Sequence, residues 1–355
     1  MLSFTLTSSV SVFCITEPVV DLYNQRGGEG PNQPSDGFAP GETVILYAYV
    51  TYNDTPVEGK LVAFEVLDAS NACVLDRSDN TDVHGVAWVN FTISPVCLPW
   101  QFGIWTAISV VSVAEKIVND TLTFRVSGPV IDLFTQRGGY GSNKSSDAFA
   151  PQEEVILYAR VSYDCNPLEG KLVAFEVRNP ANECVTYRSD TTNASGIAVA
   201  RFRVPSNATF GIYTAIATVS VIERTVNDTL TFRVGWIVEI LKIETADQFG
   251  EPQVSFARGQ HIYFNITGQN IAFTSKMATF TVAACDEGDV PIGRAVLHNW
   301  LIPKETCFTF IVDILIPEWT YTGKGIAYVN AYTNLPVLGG VSYCPEASTS
   351  LIITP

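Results

Sequence analysis

Apolar and polar residues alternate along this chain with period two over short runs, and clusters of Gly, Pro, Asn, Asp and Ser close each run. In its first part the pattern predicts strands at 18–23, 43–52, 59–67, 73–78, 85–93, 103–111 and 121–126. Seven short strands at this spacing are what a β-sandwich requires. Residues 25–40 read as a loop, too rich in Gly, Pro, Asn and Ser to be core. No window carries a helical period strong enough to predict a helix.

The same pattern then returns. Gln25-Arg26-Gly27-Gly28 recurs as Gln136-Arg137-Gly138-Gly139, about 111 residues on. Residues 58–66 (EGKLVAFEV) recur unchanged at 169–177, and 118–126 (VNDTLTFRV) at 226–234. A period of this length is a whole domain, so the chain is a tandem array. A diverged third copy follows. Ala257-Arg258-Gly259-Gln260 echoes Ala39-Pro40-Gly41-Glu42, residues 277–283 parallel 61–66, residues 325–332 parallel 103–110, and 349–354 supply a closing strand. The expected architecture is all-β: a strand extension over 1–17, then sandwiches over 18–127, 128–235 and 236–355.

The run Phe38-Ala39-Pro40-Gly41-Glu42-Thr43-Val44, the run from Val57 to Val66, Gly85-Val86-Ala87 and Gly103-Ile104-Trp105-Thr106-Ala107 resemble macroglobulin-type and bacterial immunoglobulin-like domains. The resemblance covers the first two copies well and the third loosely. It implies three tandem immunoglobulin-like sandwiches, and a setting such as archaeal or bacterial surface filaments, surface layers and adhesins. These motifs specify a sandwich and not an activity.

Composition narrows the class. A net charge of −15 with only 16% charged residues argues against a nucleic-acid partner, which needs a basic face. No apolar run reaches the length of a transmembrane segment. Met1–Thr16 lacks the basic start and continuous apolar stretch of a signal peptide. Eight Cys suggest an oxidising compartment. Asn-x-Ser/Thr acceptors start at Asn53, Asn90, Asn119, Asn143, Asn193, Asn207, Asn227 and Asn265, where chance would give roughly three or four. An extracellular protein with N-linked glycans and no other cofactor is expected.

Chemistry is sparse. Of His84, His261 and His298, the first is Ser195 in the second copy, so it is no shared catalytic base. His298 beside Trp300 can line a pocket, although a structural role is the plainer reading. No nucleophile elbow, phosphate loop or His-Glu-x-x-His motif is present. Asp79 and Asp82 before Gly85 can hold Ca²⁺ or simply form an Asx turn; the second copy keeps only Asp190. Trp100, Trp105, Tyr140 and Trp300 can stack on sugars, with Trp105 better placed for core. No catalytic or metal-binding residue is assigned.

Cysteine positions carry more. Cys73, Cys184 and Cys285 each follow the third strand of a copy, at its forward end. Cys165 sits at the rear end of the second copy, and Cys307 and Cys344 at the rear of the third. A disulfide needs Cα atoms within about 7 Å, whereas Cys165 and Cys184 lie at opposite ends of one sandwich, roughly 25 Å apart. A clasp pattern follows: Cys73 with Cys165, and Cys184 with Cys344 or Cys307. Cys73–Cys97, Cys307–Cys344 and free thiols remain alternatives.

Aligning residues 18–22 with 129–133 sets Phe13 on Phe124 and Ile15 on Val126. Met1–Thr16 therefore takes the place of a closing strand from a preceding domain. Either such a domain precedes it, or the strand completes another copy, with Phe4, Leu6, Val10, Val12, Phe13 and Ile15 as the subunit contact and Cys14 near the neighbour's Cys285. The expected function is a structural subunit of a pilus- or thread-like filament, a homopolymer joined by strand addition. The alternative is an adhesin stalk or surface-layer segment gripping carbohydrate or protein through its loops.

Overall fold

A computed structural model of the protein describes residues 17–355. The expected donor strand, with its six contact residues and Cys14, lies outside the described residues.

The described chain is strand-built, with two 3-10 turns at Pro99–Gln101 and Pro336–Leu338. The first copy contains β1 (Pro18–Asn24), β2 (Thr43–Tyr52), β3 (Thr55–Pro56), β4 (Leu61–Leu67), β5 (Cys73–Asn80), β6 (Val86–Thr92), β7 (Gly103–Val113) and β8 (Lys116–Val126). The second contains β9 (Pro129–Thr135), β10 (Glu154–Tyr163), β11 (Asn166–Pro167), β12 (Leu172–Arg178), β13 (Cys184–Thr191), β14 (Ile197–Arg203), β15 (Gly211–Val221) and β16 (Arg224–Val234). The third contains β17 (Val238–Ala246), β18 (Ser255–Ala257), β19 (His261–Asn270), β20 (Lys276–Cys285), β21 (Pro291–Ile302), β22 (Cys307–Leu315), β23 (Gly323–Tyr332) and β24 (Ala347–Thr354).

Each copy forms two sheets. In the first, β1, β3 and β6 gather on β2, and the other sheet runs β5-β4-β7-β8. The second copy repeats this order with β9–β16. The third has β17-β19-β22 and β18-β24-β23-β20-β21. Alternation decides the core. Val44, Leu46, Ala48 and Val50 of β2 point inward and join Val62, Phe64 and Val66 of β4 and Leu122, Phe124 and Val126 of β8 in one cluster. Burying each of the larger side chains contributes about 1.5–3 kcal/mol.

By compactness the described residues divide into two units, 17–130 with 162–167, and 131–161 with 168–355. The second and third pairs of sheets thus share one unit. The cause is a continuous core: Ala148 and Ala150 of the second copy belong to the same buried cluster as Phe264, Phe280 and Val329 of the third.

Residues 25–40 depart from the expected polar loop. This segment returns along β8 in parallel, with bridges Pro34–Thr123 and Phe38–Val126. Phe38 is 1% and Ala39 5% exposed, so its last turn is core. Its polar residues serve backbone, both within the segment, where Arg26 donates to the Gly37 carbonyl, and beyond it. Gln25 caps β2 through the Thr43 carbonyl (2.7 Å) and the Ile45 amide (2.9 Å), as a neighbouring strand would. β8 and β16 also begin five residues before the expected 121 and its counterpart. Their tight turns use Ala114-Glu115 and Ile222-Glu223 at positive φ, without the Gly or Asn that signals such a turn.

Candidate functional site: clasps and displayed surface

The repeated Gln-Arg-Gly-Gly and Asn-Asp-Thr motifs turn out to be one structural device. Asp120 is 2% exposed. Its carboxylate accepts the amides of Leu22 (2.7 Å), Asn32 (2.7 Å) and Thr121 (2.8 Å), pinning the 25–40 segment to β1 and β8. Asp228 does the same for Leu133, Asn143 and Thr229 at 2.8–2.9 Å. Arg26 lies 4.2 Å over the Phe38 ring and pairs with Glu42 at 3.1 Å. Arg137 lies 4.4 Å over Phe149, with both its terminal nitrogens on Glu153.

In the second unit this device is enclosed. Asp147 and Lys276 are 3% and 6% exposed. The Asp147 carboxylate accepts hydrogen bonds from Lys276 Nζ, from Thr274 Oγ1 and from the Phe273 amide. The loop that delivers these donors is stiffened by Asn270, fully buried, whose Nδ2 donates to the carbonyls of Thr274, Ile302 and Pro303 at 3.0–3.1 Å. Burial opposes charge on Asp147, but the bonds from Lys276 and Thr274 outweigh it and hold its carboxyl below the ordinary value. Burial, then Arg137, pushes Lys276 down. Burial first and Glu153 second push Tyr343 up to about 12.

In the first unit the clasp is covalent. Cys97 is bonded to Cys165, with Cα atoms 5.5 Å apart. This corrects the expected Cys73–Cys165 pair. Cys97 rides on the segment between β6 and β7, Ser94–Phe102, which is longer than its counterpart in the second copy. Gln101 braces that segment through the carbonyls of Ser94 (3.2 Å) and Val96 (3.1 Å). The offset between copies falls accordingly, from 111 at Gln25 to 108 at Val118, a signal present in the sequence. Cys165 itself occupies a left-handed turn position (φ 62°), and its neighbour Asp164 accepts from the Gly128 amide at 2.8 Å.

The expected bond from Cys184 to Cys344 or Cys307 is not formed either, whereas the expected Cys14–Cys285 bond lies outside the described residues. Cys73, Cys184 and Cys307 are exposed thiols, Cys285 is half-buried, and none is bonded among the described residues. Cys344 is buried, and its sulfur accepts the Ala331 amide at 3.2 Å, so it neither reaches Cys184 nor pairs with Cys307. Burial pushes this thiol up to about 11.

Seven of the acceptor Asn residues, 53, 90, 119, 143, 193, 207 and 227, are exposed, whereas Asn265 is half-buried in the middle of β19. Asp82 caps an Asx turn to His84 and Val86 (both 2.9 Å), the plainer of its two readings. Among the described residues no group of three His, Cys, Asp or Glu side chains is arranged to hold a metal. Trp105 is 4% exposed and its indole donates to the Gln101 carbonyl, so it is core. Trp300 packs on Phe280, Phe308 and Phe310. Trp100 and Tyr140 remain exposed. No helix of the described residues is long and apolar enough to cross a membrane.

No protein-family model matches this chain. No curated protein matches it either. Among solved structures it is similar to a tetra-tandem repeat from the extending region of a large adhesion protein, at 13% identity, 95% coverage of this chain, 74% of that one and a TM-score of 0.25. It is similar to the three N-terminal domains of the bacteriophage RB49 outer capsid protein Hoc, at 10% identity, 95% and 98% coverage and a TM-score of 0.30. Escherichia coli alpha-2-macroglobulin matches at 10% identity over 95% of this chain and 23% of that one, with a TM-score of 0.30. At these values the likeness concerns tandem β architecture, and no function is taken from it.

Proposed function

We propose that this chain is a non-enzymatic, glycosylated structural subunit of an extracellular surface filament, joined head to tail by Met1–Thr16 adding as a strand to a neighbouring copy. The observation that carries this reading is the way the array is locked. One unit holds a disulfide and the other a buried ion pair, both outside the sandwich cores that each copy needs to fold. Such locks suit a part that transmits load. Seven exposed glycan acceptors on the outer strands and turns support a hydrated coat. The disulfide supports an oxidising setting.

Strand addition is supported by the alignment of Phe13 and Ile15 with the closing-strand residues Phe124 and Val126, both buried in β8. The adhesin-stalk reading is favoured by one feature, the divergence of the third copy. Electron microscopy of native protein separates the two. Filaments support the subunit reading, and single rods or a lattice oppose it.

A further inference from the structure

The third copy departs from the first two most sharply after its first strand. In place of the long 25–40 segment it has a short turn between β17 and β18. Asp247 builds that turn, its carboxylate accepting the amides of Phe249 (2.8 Å) and Glu251 (3.0 Å). Thr245 ties the turn's exit through the Gln253 carbonyl at 2.6 Å. This braced turn holds Phe249 80% exposed, a large ring that no core uses.

Below it lies a cleft on the outer face of β19 and β22, walled by Phe249, Tyr263 and Ile311, with Asn265 on its floor. The cleft continues past Gln248 and Gln253 on the other side of the turn. Its lining includes Asp247 and no Lys or Arg, and its one histidine, His261, is already held by the Asp313 carboxylate at 2.6 Å. Asn265 stands opposite Glu244 and Ile311 in the sheet register. Its Oδ1 is shut from solvent and has no hydrogen-bond partner.

We propose that this cleft binds a neutral glycan and that Asn265 is a ligand of that glycan, not an acceptor of one. A sugar ring offers an apolar C–H face to Phe249 and Tyr263 and hydroxyls that both donate and accept. Planar amides supply the matching donor and acceptor pair. Asn265 lines the cleft, and a half-turn of its amide about its last torsion, a soft two-fold rotation, exchanges the places of its donor and its acceptor. An anionic ligand would find no Lys or Arg in the lining, and the one histidine there, His261, already faces the Asp313 carboxylate. An apolar peptide would leave the amides of Asn265, Gln248 and Gln253 unmatched. This inference goes beyond the filament reading and holds equally for a stalk.

The test uses the full chain and four proteins: wild type, Phe249→Ala, Asn265→Ala and Thr267→Val. The last removes the glycosylation triplet but keeps Asn265. Each is titrated calorimetrically with mannotriose, cellotriose and maltotriose, after equal melting temperatures confirm folding. At least one trisaccharide should bind wild type and Thr267→Val alike, and bind Phe249→Ala and Asn265→Ala at least tenfold more weakly. The peptide holding Asn265 should carry no glycan in the mass spectrum of native protein. A glycan on Asn265, no binding by any of the three sugars, or unchanged binding in Phe249→Ala would overturn the proposal. So would a peptide of residues 1–16 that occupies the cleft while no sugar competes.

Discussion

Asp147 and Lys276, 129 residues apart in sequence, form a buried ion pair that joins the second copy to the third. Its counterpart in the first copy, Asp36, has the same neighbours from Ser35 to Pro40 apart from Gly37 in place of Ala148, and is exposed. The difference lies in what covers each residue. Removing one partner of a buried pair strands the other charge and costs about 3–5 kcal/mol. Lys276→Ala should therefore destabilise the second unit by about that much, measured by urea unfolding. Asp147→Leu with Lys276→Met should recover most of the loss. Asp36→Ala should change little.

The same pair sets an acid limit. The carboxyl of Asp147 titrates below its ordinary 3.8 because the bonds from Lys276 and Thr274 outweigh burial. Its contribution is thus complete above that ordinary value and is lost as pH falls through the lower folded one. Melting temperature followed from pH 6 to pH 2 should drop less steeply in Asp147→Asn than in wild type. Identical acid limbs would remove Asp147 from the account.

Asp120 should matter through hydrogen bonds alone. Asn in its place keeps the acceptor triplet at Asn119 but offers one carbonyl oxygen to three amides. Bonds to charged groups are worth about 1.5–3 kcal/mol each. Asp120→Asn should destabilise the first unit by roughly 2–3 kcal/mol, seen as a lower denaturant midpoint with unchanged slope.

Much of this fold was legible in the alternation itself. β2 spans the expected 43–52, because its inward residues Val44, Leu46, Ala48 and Val50 leave no other register. The 25–40 segment is more tightly held than its composition suggests, because Gln25 caps β2 and Asp120 of β8 accepts the segment's Asn32 amide, and composition cannot distinguish such capping from solvation. The disulfide was half legible. The end of the sandwich holding Cys165 could be reasoned from strand order, but choosing Cys97 over Cys73 required seeing that the longer segment carries it there. Lys276 gave no signal, since its partner lies in another copy.

Replacing Cys97 with Ser opens a crosslink spanning 68 residues. On the chain-entropy view this removes about 4 kcal/mol from the first unit. Cys73→Ser, at an exposed thiol, should leave stability within about 0.5 kcal/mol of wild type. Unfolding with and without reductant separates them: wild type should become reductant-sensitive, and Cys97→Ser should not. Equal sensitivity in both would place the bond elsewhere.

The central claim, assembly through the N-terminal strand, is tested most directly by negative-stain microscopy of two preparations at equal concentration, the whole chain and residues 17–355. The account predicts filaments from the first, and from the second only separate particles whose circular dichroism is unchanged. Filaments of normal length from residues 17–355 would contradict it.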